Sequence, residues 1–203
     1  MKVVAVTTSH RGDDARIVHR QARVLLEAGH SVTLIAPDPG AAASLDPAGL
    51  VRRVVPRAVG RRRVGAWWAA RRALRAEARD ADVVIVHDLE LVPVLTLFVR
   101  AHAVEVWDVH EDYRAMAREA VWVPAPLRLL GVGAVAMVEW WALHRCRLIL
   151  AERGYAKRFA DALVVPNTTW VGDEPAIVPA DAPVVYVGRV SLDRGAKEMI
   201  ALG

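Results

Sequence analysis

The sequence predicts an α/β fold, a doubly wound parallel sheet of the Rossmann-like kind. Short apolar runs recur along the chain, and amphipathic stretches of helical length separate them. The runs are rich in valine and isoleucine with little polar alternation, as in strands buried on both faces. Two of them, Asp82 to Asp88 and Val104 to Tyr113, end in histidine and carboxylates. In an open parallel sheet, ligands sit outside the carboxyl ends of the strands.

Lys2 to Thr8 is the first strand, with Val3, Val4, Ala5 and Val6 as its apolar run. Ser9 to Asp14 is a polar turn, and Asp13 or Asp14 is suited to accept the free N–H groups of a helix start. Ala15 to Ala28 reads as that helix, with Ile17, Val24 and Leu25 on its apolar face and Gly29 closing it. Ser31 to Ala36 is the second strand, ended by Pro37, which completes a parallel crossover unit. Residues 37–50 form a loop rich in Pro, Ala, Gly and Asp, and Val51 to Val55 is a short third strand.

A basic segment follows, from Arg52 to Arg75, in which Val64, Trp67, Trp68, Leu74 and Ala78 mark a helical stripe. Asp82 to Val86 is the fourth strand, Leu91 to Ala101 a helix, and residues 104–107 the fifth strand, in which Val104, Val106 and Trp107 supply the buried character. Pro124 and Pro126 precede a long helix from Leu127 to Arg145, with Leu127, Leu130, Ala134, Val138 and Trp141 on one face. A helix so apolar around its circumference is buried, covers an interface or touches lipid. Leu148 to Ala151 and Leu163 to Val165 are strands around a short helix from Gly154 to Ala160. The expected organisation is a Rossmann-like domain over 1–166, a proline-rich linker over 167–182, and the start of a second, incomplete domain over 183–203. That last piece holds a strand at Val184 to Val187 and the first turns of a helix from Ala196.

A hydrophobic content of 54% over 203 residues is ample for a core. Cys146 is alone, so no intrachain disulfide forms, and a cytoplasmic location is expected. The start of the chain lacks the features of a signal peptide. The net charge of +4 is carried by arginine, with Lys2, Lys157 and Lys197 as the only lysines. Arginine pairs with phosphate through two parallel hydrogen bonds, so a phosphate-bearing partner or an anionic surface fits. Arg61, Arg62, Arg63, Trp67 and Trp68 read either as a peripheral membrane contact or as an ordinary helix with buried tryptophan and a solvated basic face.

Several classes are disfavoured. No nucleic-acid-binding motif accompanies the basic segment. No Gly-x-Gly-x-x-Gly follows the first strand, which argues against a dinucleotide-dependent oxidoreductase. Asp80-Ala81-Asp82 has the Asp-x-Asp form of a metal motif but precedes its strand, at the wrong end of the sheet. His87, Asp88, His110 and Glu111 match the spacing of no closed metal site, and no metal is expected.

Four stretches resemble motifs of the retaining glycosyltransferases of the GT-B fold, family four. They are Ser9 to Ile17 after the first strand, Val86 to Pro93, Trp107 to Tyr113, and Val187 to Gly195. The resemblance covers nearly the whole chain and places it as the N-terminal half of a GT-B fold. It implies transfer of a hexose from a nucleotide sugar to a hydroxyl acceptor, carbohydrate or lipid-linked, in cell-surface polysaccharide or glycolipid synthesis. It implies that His110 is the active-site histidine, that His87, Asp88 and Glu111 contact the acceptor, and that Gly12, Arg189 and Arg194 meet the donor diphosphate. It implies no cofactor beyond the donor itself. The family's first loop often carries two glycines, and here Gly12 stands alone. Its paired glutamates, which hold sugar and ribose, fall beyond Gly203, so the resemblance also allows a truncated, non-catalytic acceptor- or membrane-binding fragment.

Overall fold

The computed structural model describes residues 1–99, 102–120, 123–168, 181–183, 185–186, 190–192 and 195–202. Its strands are β1 (Lys2–Val6), β2 (Ser31–Ala36), β3 (Val51–Val54), β4 (Val83–Val86), β5 (Val104–Val109), β6 (Arg147–Leu150) and β7 (Leu163–Val164). Among the described residues these form one parallel sheet in the order β3-β2-β1-β4-β5-β6-β7. The order reverses between β1 and β4, where a doubly wound sheet opens a crevice. The α/β Rossmann-like class expected from the sequence is the one observed.

Alternation along the strands builds a core on each face. Val4 and Val6 of β1, Val84 and Val86 of β4, and Trp107 and Val109 of β5 pack on one side. Helices α2 (Arg63–Glu77), α3 (Val92–Phe98) and α5 (Ala125–Arg145) cover them through Ala70, Leu74, Leu95 and Ala142. The Trp107 ring meets Phe159 edge-on at 5.8 Å. Val3, Ala5, Ile85 and Val106 face the other way, against Ile17, Val18 and Ala22.

The first crossover helix departs from expectation. Ala15–Ala22 is wound as a π-helix and continues into α1 (Arg23–Glu27). Its hydrogen bonds reach five residues back, as from Arg23 N–H to the Val18 carbonyl. Buried positions therefore fall five apart, at Ile17 and Ala22, and Val24 turns outward with 46% exposure. Asp14 caps the helix through Arg16 N–H and Ile17 N–H. Val104 lies at the strand's entrance and is half exposed, so Val106 and Trp107 carry the burial of β5.

Helix α4 (Tyr113–Glu119), capped by Asp112, was not expected from the pattern. The Gly154–Ala160 helix is a 3-10 turn over Arg153–Lys157. The buried stripe of α2 is Ala66, Ala70 and Leu74, and Val64 is exposed. On α5 the residues that pack inward are Val135, Val138, Trp141 and Ala142, whereas Leu127 and Leu130 of the expected face are exposed. Buried Glu139 bonds Arg114 of α4 at 2.5 Å, which ties the two helices.

The chain divides into two units, Met1–Thr168 and Thr169–Gly203. The first holds the whole sheet. The second contains α6 (Ala196–Leu202), entered through Gly195 at a φ of 79°. Of the strand expected over Val184 to Val187, both end residues lie outside the described residues, and so do Arg189 and Arg194.

Candidate functional site

Parallel register sets the site. Val6 of β1 pairs with Val86 of β4, and Val86 with Trp107 of β5. One residue further on, Thr7, His87 and Asp108 therefore share a rung on the same face as Ile17. Arg16 arrives there from the π-helix. Its guanidinium grips the Asp108 carboxylate with two bonds of 2.7 and 2.9 Å. Gln21 donates to the same carboxylate at 2.8 Å, and His87 Nδ1–H at 3.1 Å. Asp108 is fully buried. Burial pushes its carboxyl up, but the hydrogen bonds and charges of Arg16 and His87 reverse this and hold it far below the usual carboxylate range.

His110 sits just beyond, at the end of β5. Its Nδ1–H donates to the Asp108 carbonyl at 3.0 Å, which leaves Nε2 as the acceptor. That nitrogen lies 2.8 Å from Nε2 of His10, so His10 is the donor of the pair. Burial, aided by the neighbouring His87 and His10, lowers His110 to about 4, against the opposing pull of Asp108. His110 is therefore a neutral acceptor at neutral pH. His10 in turn lies 3.5 Å from Asp88 and 3.9 Å from Asp14.

Asp88 organises the loop after β1. Its oxygens accept from Thr7 Oγ1 at 2.8 Å, Thr8 N–H at 2.5 Å, Thr8 Oγ1 at 3.0 Å and Ser9 N–H at 3.0 Å. Asp88 and His87 are both fully buried. Around them Glu111, His110 and His10 are half-buried at the same strand ends. Burial raises the Glu111 carboxyl; His10 draws it down, and Asp88, Asp14 and Glu90 add to the rise. Tyr113 donates its hydroxyl to the His87 carbonyl at 3.3 Å and closes the floor.

Gly12 has a packing reason in this structure. A Cβ there would stand 2.0 Å from the Pro37 carbonyl oxygen and 2.8 Å from Pro39 N, so the β2 loop closes on a bare α-carbon. Asp80 and Asp82 lie at the opposite edge of the sheet. Asp82 accepts the Lys2 N–H and Asp80 the Lys2 ammonium, each at 2.6 Å. His87, Asp108 and His110 bring ligand atoms within 4.8 Å of one another. Both Asp108 oxygens are already spent on a guanidinium, however, and a divalent cation would sit against that positive charge. The donor set does not fit a metal.

His10, Arg16 and Asp108 are the members that sequence reasoning did not assign to the site. Arg16 and Asp108 are 92 residues apart, and His10 and His110 are 100 apart. The signal for them was their position: His10 lies in the turn after β1, Arg16 opens the helix that follows, and Asp108 is the last residue but one of β5.

The pattern of the family described as Glycosyltransferase Family 4 matches residues 15–170. No curated protein matches the chain. Among solved structures, apo UGT2 of Phytolacca americana superposes with a TM-score of 0.50 at 10% identity, over 85% of this chain and 52% of that one. A short-chain dehydrogenase/reductase from Burkholderia vietnamiensis gives 0.43 at 19% identity, over 78% of this chain and 88% of that one. The heptosyltransferase WaaC of E. coli with ADP gives 0.37 at 19% identity, over 83% and 75%. The chain spans about half the length of the UGT2 structure, and at such identity that likeness shows the fold. The family match takes in β2 to β7 and the π-helix that carries Arg16, and on it this chain belongs to Glycosyltransferase Family 4.

Proposed function

We propose that this chain is the acceptor-binding half of a GT-B glycosyltransferase that moves a hexose from a nucleotide sugar to a hydroxyl acceptor with retention of configuration. The observation that carries the reading is neutral His110, held in one tautomer at the carboxyl end of β5 against His10 of the loop after β1. An incoming hydroxyl can replace His10 as the donor to its Nε2. With its conjugate acid near 4, His110 is a weak base, so its part is to orient the hydroxyl. The acceptor oxygen then bonds the anomeric carbon on the face the diphosphate leaves. The hydroxyl proton passes to the departing diphosphate oxygen. The resemblance to the family assigns Arg189, Arg194 and Gly12 to that diphosphate, where fixed guanidinium groups neutralise the charge that develops as it leaves, with no metal and no cofactor besides the donor.

A carbohydrate or lipid-linked acceptor, a role in cell-surface polysaccharide or glycolipid assembly, and a cytoplasmic location complete the reading. So does peripheral contact with an anionic membrane through the exposed Arg61, Arg62, Arg63 and Trp68. Trp67 leaves that set: its ring packs on the core and its N–H points to Glu90 at 3.4 Å.

The test is nucleoside-diphosphate release from a panel of nucleotide hexoses, with sugar and lipid-linked acceptors and NMR of the product anomer. His110→Ala lowers turnover by about a hundredfold or more. Unchanged turnover would remove the histidine from its role. A second reading is a non-catalytic acceptor- or membrane-binding fragment: the family match covers residues 15–170, which take in most of the unit that holds the sheet. Absence of turnover with every donor supports it, and turnover of any donor excludes it.

A further inference from the structure

Helix α5 is long and apolar enough to cross a membrane by length and composition, yet little of it is buried. Leu129, Leu130, Met137 and Trp140 are 58–73% exposed, with Leu127 and Leu143 beside them. These positions recur at helical spacing and make one stripe. On α5 itself the charged residues are Arg128, Glu139 and Arg145, and Glu139 is buried against Arg114. The stripe thus carries no acid. It cannot span a bilayer, because α5 is the crossover between the paired strands β5 and β6 and its inner face is packed on the sheet. It can lie along a surface.

The stripe continues across the same helical layer. Trp141 of α5 bonds Thr96 of α3 at 2.9 Å, and α3 exposes Leu97. Val94 of α3 shares a groove with Trp67, Trp68 and Arg71 of α2. Trp68 is 58% exposed. From it Arg71, Arg72, Arg75 and Arg79 run at helical spacing along a further groove. The Arg71 guanidinium lies 5.1 Å over the Trp68 ring. The acid of α2, Glu77, is held by Arg53 at 2.6 Å.

We propose that the outer surface of α2, α3 and α5 is a docking face for an anionic lipid bilayer. Apolar side chains of α5 enter the acyl boundary, Trp68 and Trp140 sit at headgroup level, and the α2 arginines meet lipid phosphates. Charge decides between lipid and a second copy of the chain. A two-fold pairing would bring two copies of a face with net positive charge together, whereas an anionic bilayer complements that charge. The inference rests on the proposed reading and deepens it by naming the surface that would hold the protein on the bilayer carrying a lipid-linked acceptor.

The experiment is co-sedimentation of the protein with phosphatidylcholine vesicles, with and without phosphatidylglycerol, alongside light scattering in solution. Binding is expected to phosphatidylglycerol vesicles and to weaken with salt. Each surface arginine contributes roughly fivefold to partitioning, so Arg72→Glu/Arg75→Glu lowers it by at least about 25-fold. Leu130→Glu/Met137→Glu abolishes it; these side chains point outward, and an unchanged circular dichroism melt shows the fold intact. No binding to either vesicle overturns the proposal. So does a dimer in solution that Met137→Glu disperses, which would assign the face to a second copy. Vesicle binding is read without any sugar. Loss of turnover in His110→Ala with intact vesicle binding therefore separates the two readings.

Discussion

Asp108→Asn tests the hub on which the site is built. The carboxylate is fully buried and accepts four hydrogen bonds, two of them from Arg16. Asparagine keeps the shape but replaces one accepting oxygen with an amide NH2, a donor that must then face another donor. Arg16, itself only 6% exposed, becomes a buried cation without a counter-charge. Breaking one side of such a pair costs about 3–5 kcal/mol. Against a total stability of about 5–15 kcal/mol, that is a large share. At roughly 2–4 °C per kcal/mol for a domain of this size, the melting temperature falls by about 6–20 °C. Urea unfolding at neutral pH gives the same loss as a lower midpoint at unchanged slope. Arg16→Met alone leaves Asp108 buried and charged, and costs a similar amount. The double variant removes both charges, so its loss is well below the sum of the two. A loss under about 1 kcal/mol for Asp108→Asn, or strict additivity in the cycle, would refute the account of Asp108 as a buried, charge-paired hub.

Stability should depend on pH through His110. Its folded pKa, about 4, lies below the unfolded value, so the unfolded chain takes up the proton first and stability falls as pH drops from about 6.5 to 4. The full effect is ~3 kcal/mol, Glu111 opposes it at the acid end because burial raises its carboxyl, and a urea midpoint in His110→Asn that keeps the same slope would contradict the assignment. Gly12→Ala drives a methyl into the backbone at Pro37, so denaturation should show a loss of about 1–3 kcal/mol; an unchanged midpoint would mean that the loop yields freely. Asp112→Ala removes the cap on Arg114 N–H and Ala115 N–H, costing about 1 kcal/mol. Amide exchange in α4 should quicken in Asp112→Ala and remain slow in Asp112→Asn.

Much of the architecture was legible in the sequence. Continuous runs such as Val3 to Val6 and Val83 to Val86 can be buried only on both faces, and the helical stretches between them require parallel crossovers. Where the pattern misled, a local geometry had replaced the assumed one. Val24 was expected inside because a 3.6-residue period was applied to a stretch wound as a π-helix. Leu127, Leu130, Val138 and Trp141 share one face in the sequence pattern, but apolar residues surround α5, so periodicity could not say which of them the sheet would meet.

The site divides in the same way. The sequence by itself determined which strand ends carry histidine and carboxylate, and that such ends lie at the ligand edge of the sheet. The tertiary structure alone decided which of those groups touch. Register placed His87 and Asp108 on one rung, the π-helix brought Arg16 to that rung, and the β1 loop folded over Asp88 to set His10 against His110. His87 and Asp108 are 21 positions apart, and the other pairings join residues 80 to 100 apart. No local pattern encodes them, because hydrogen bonds and burial act through distance in space, which strand order and register set.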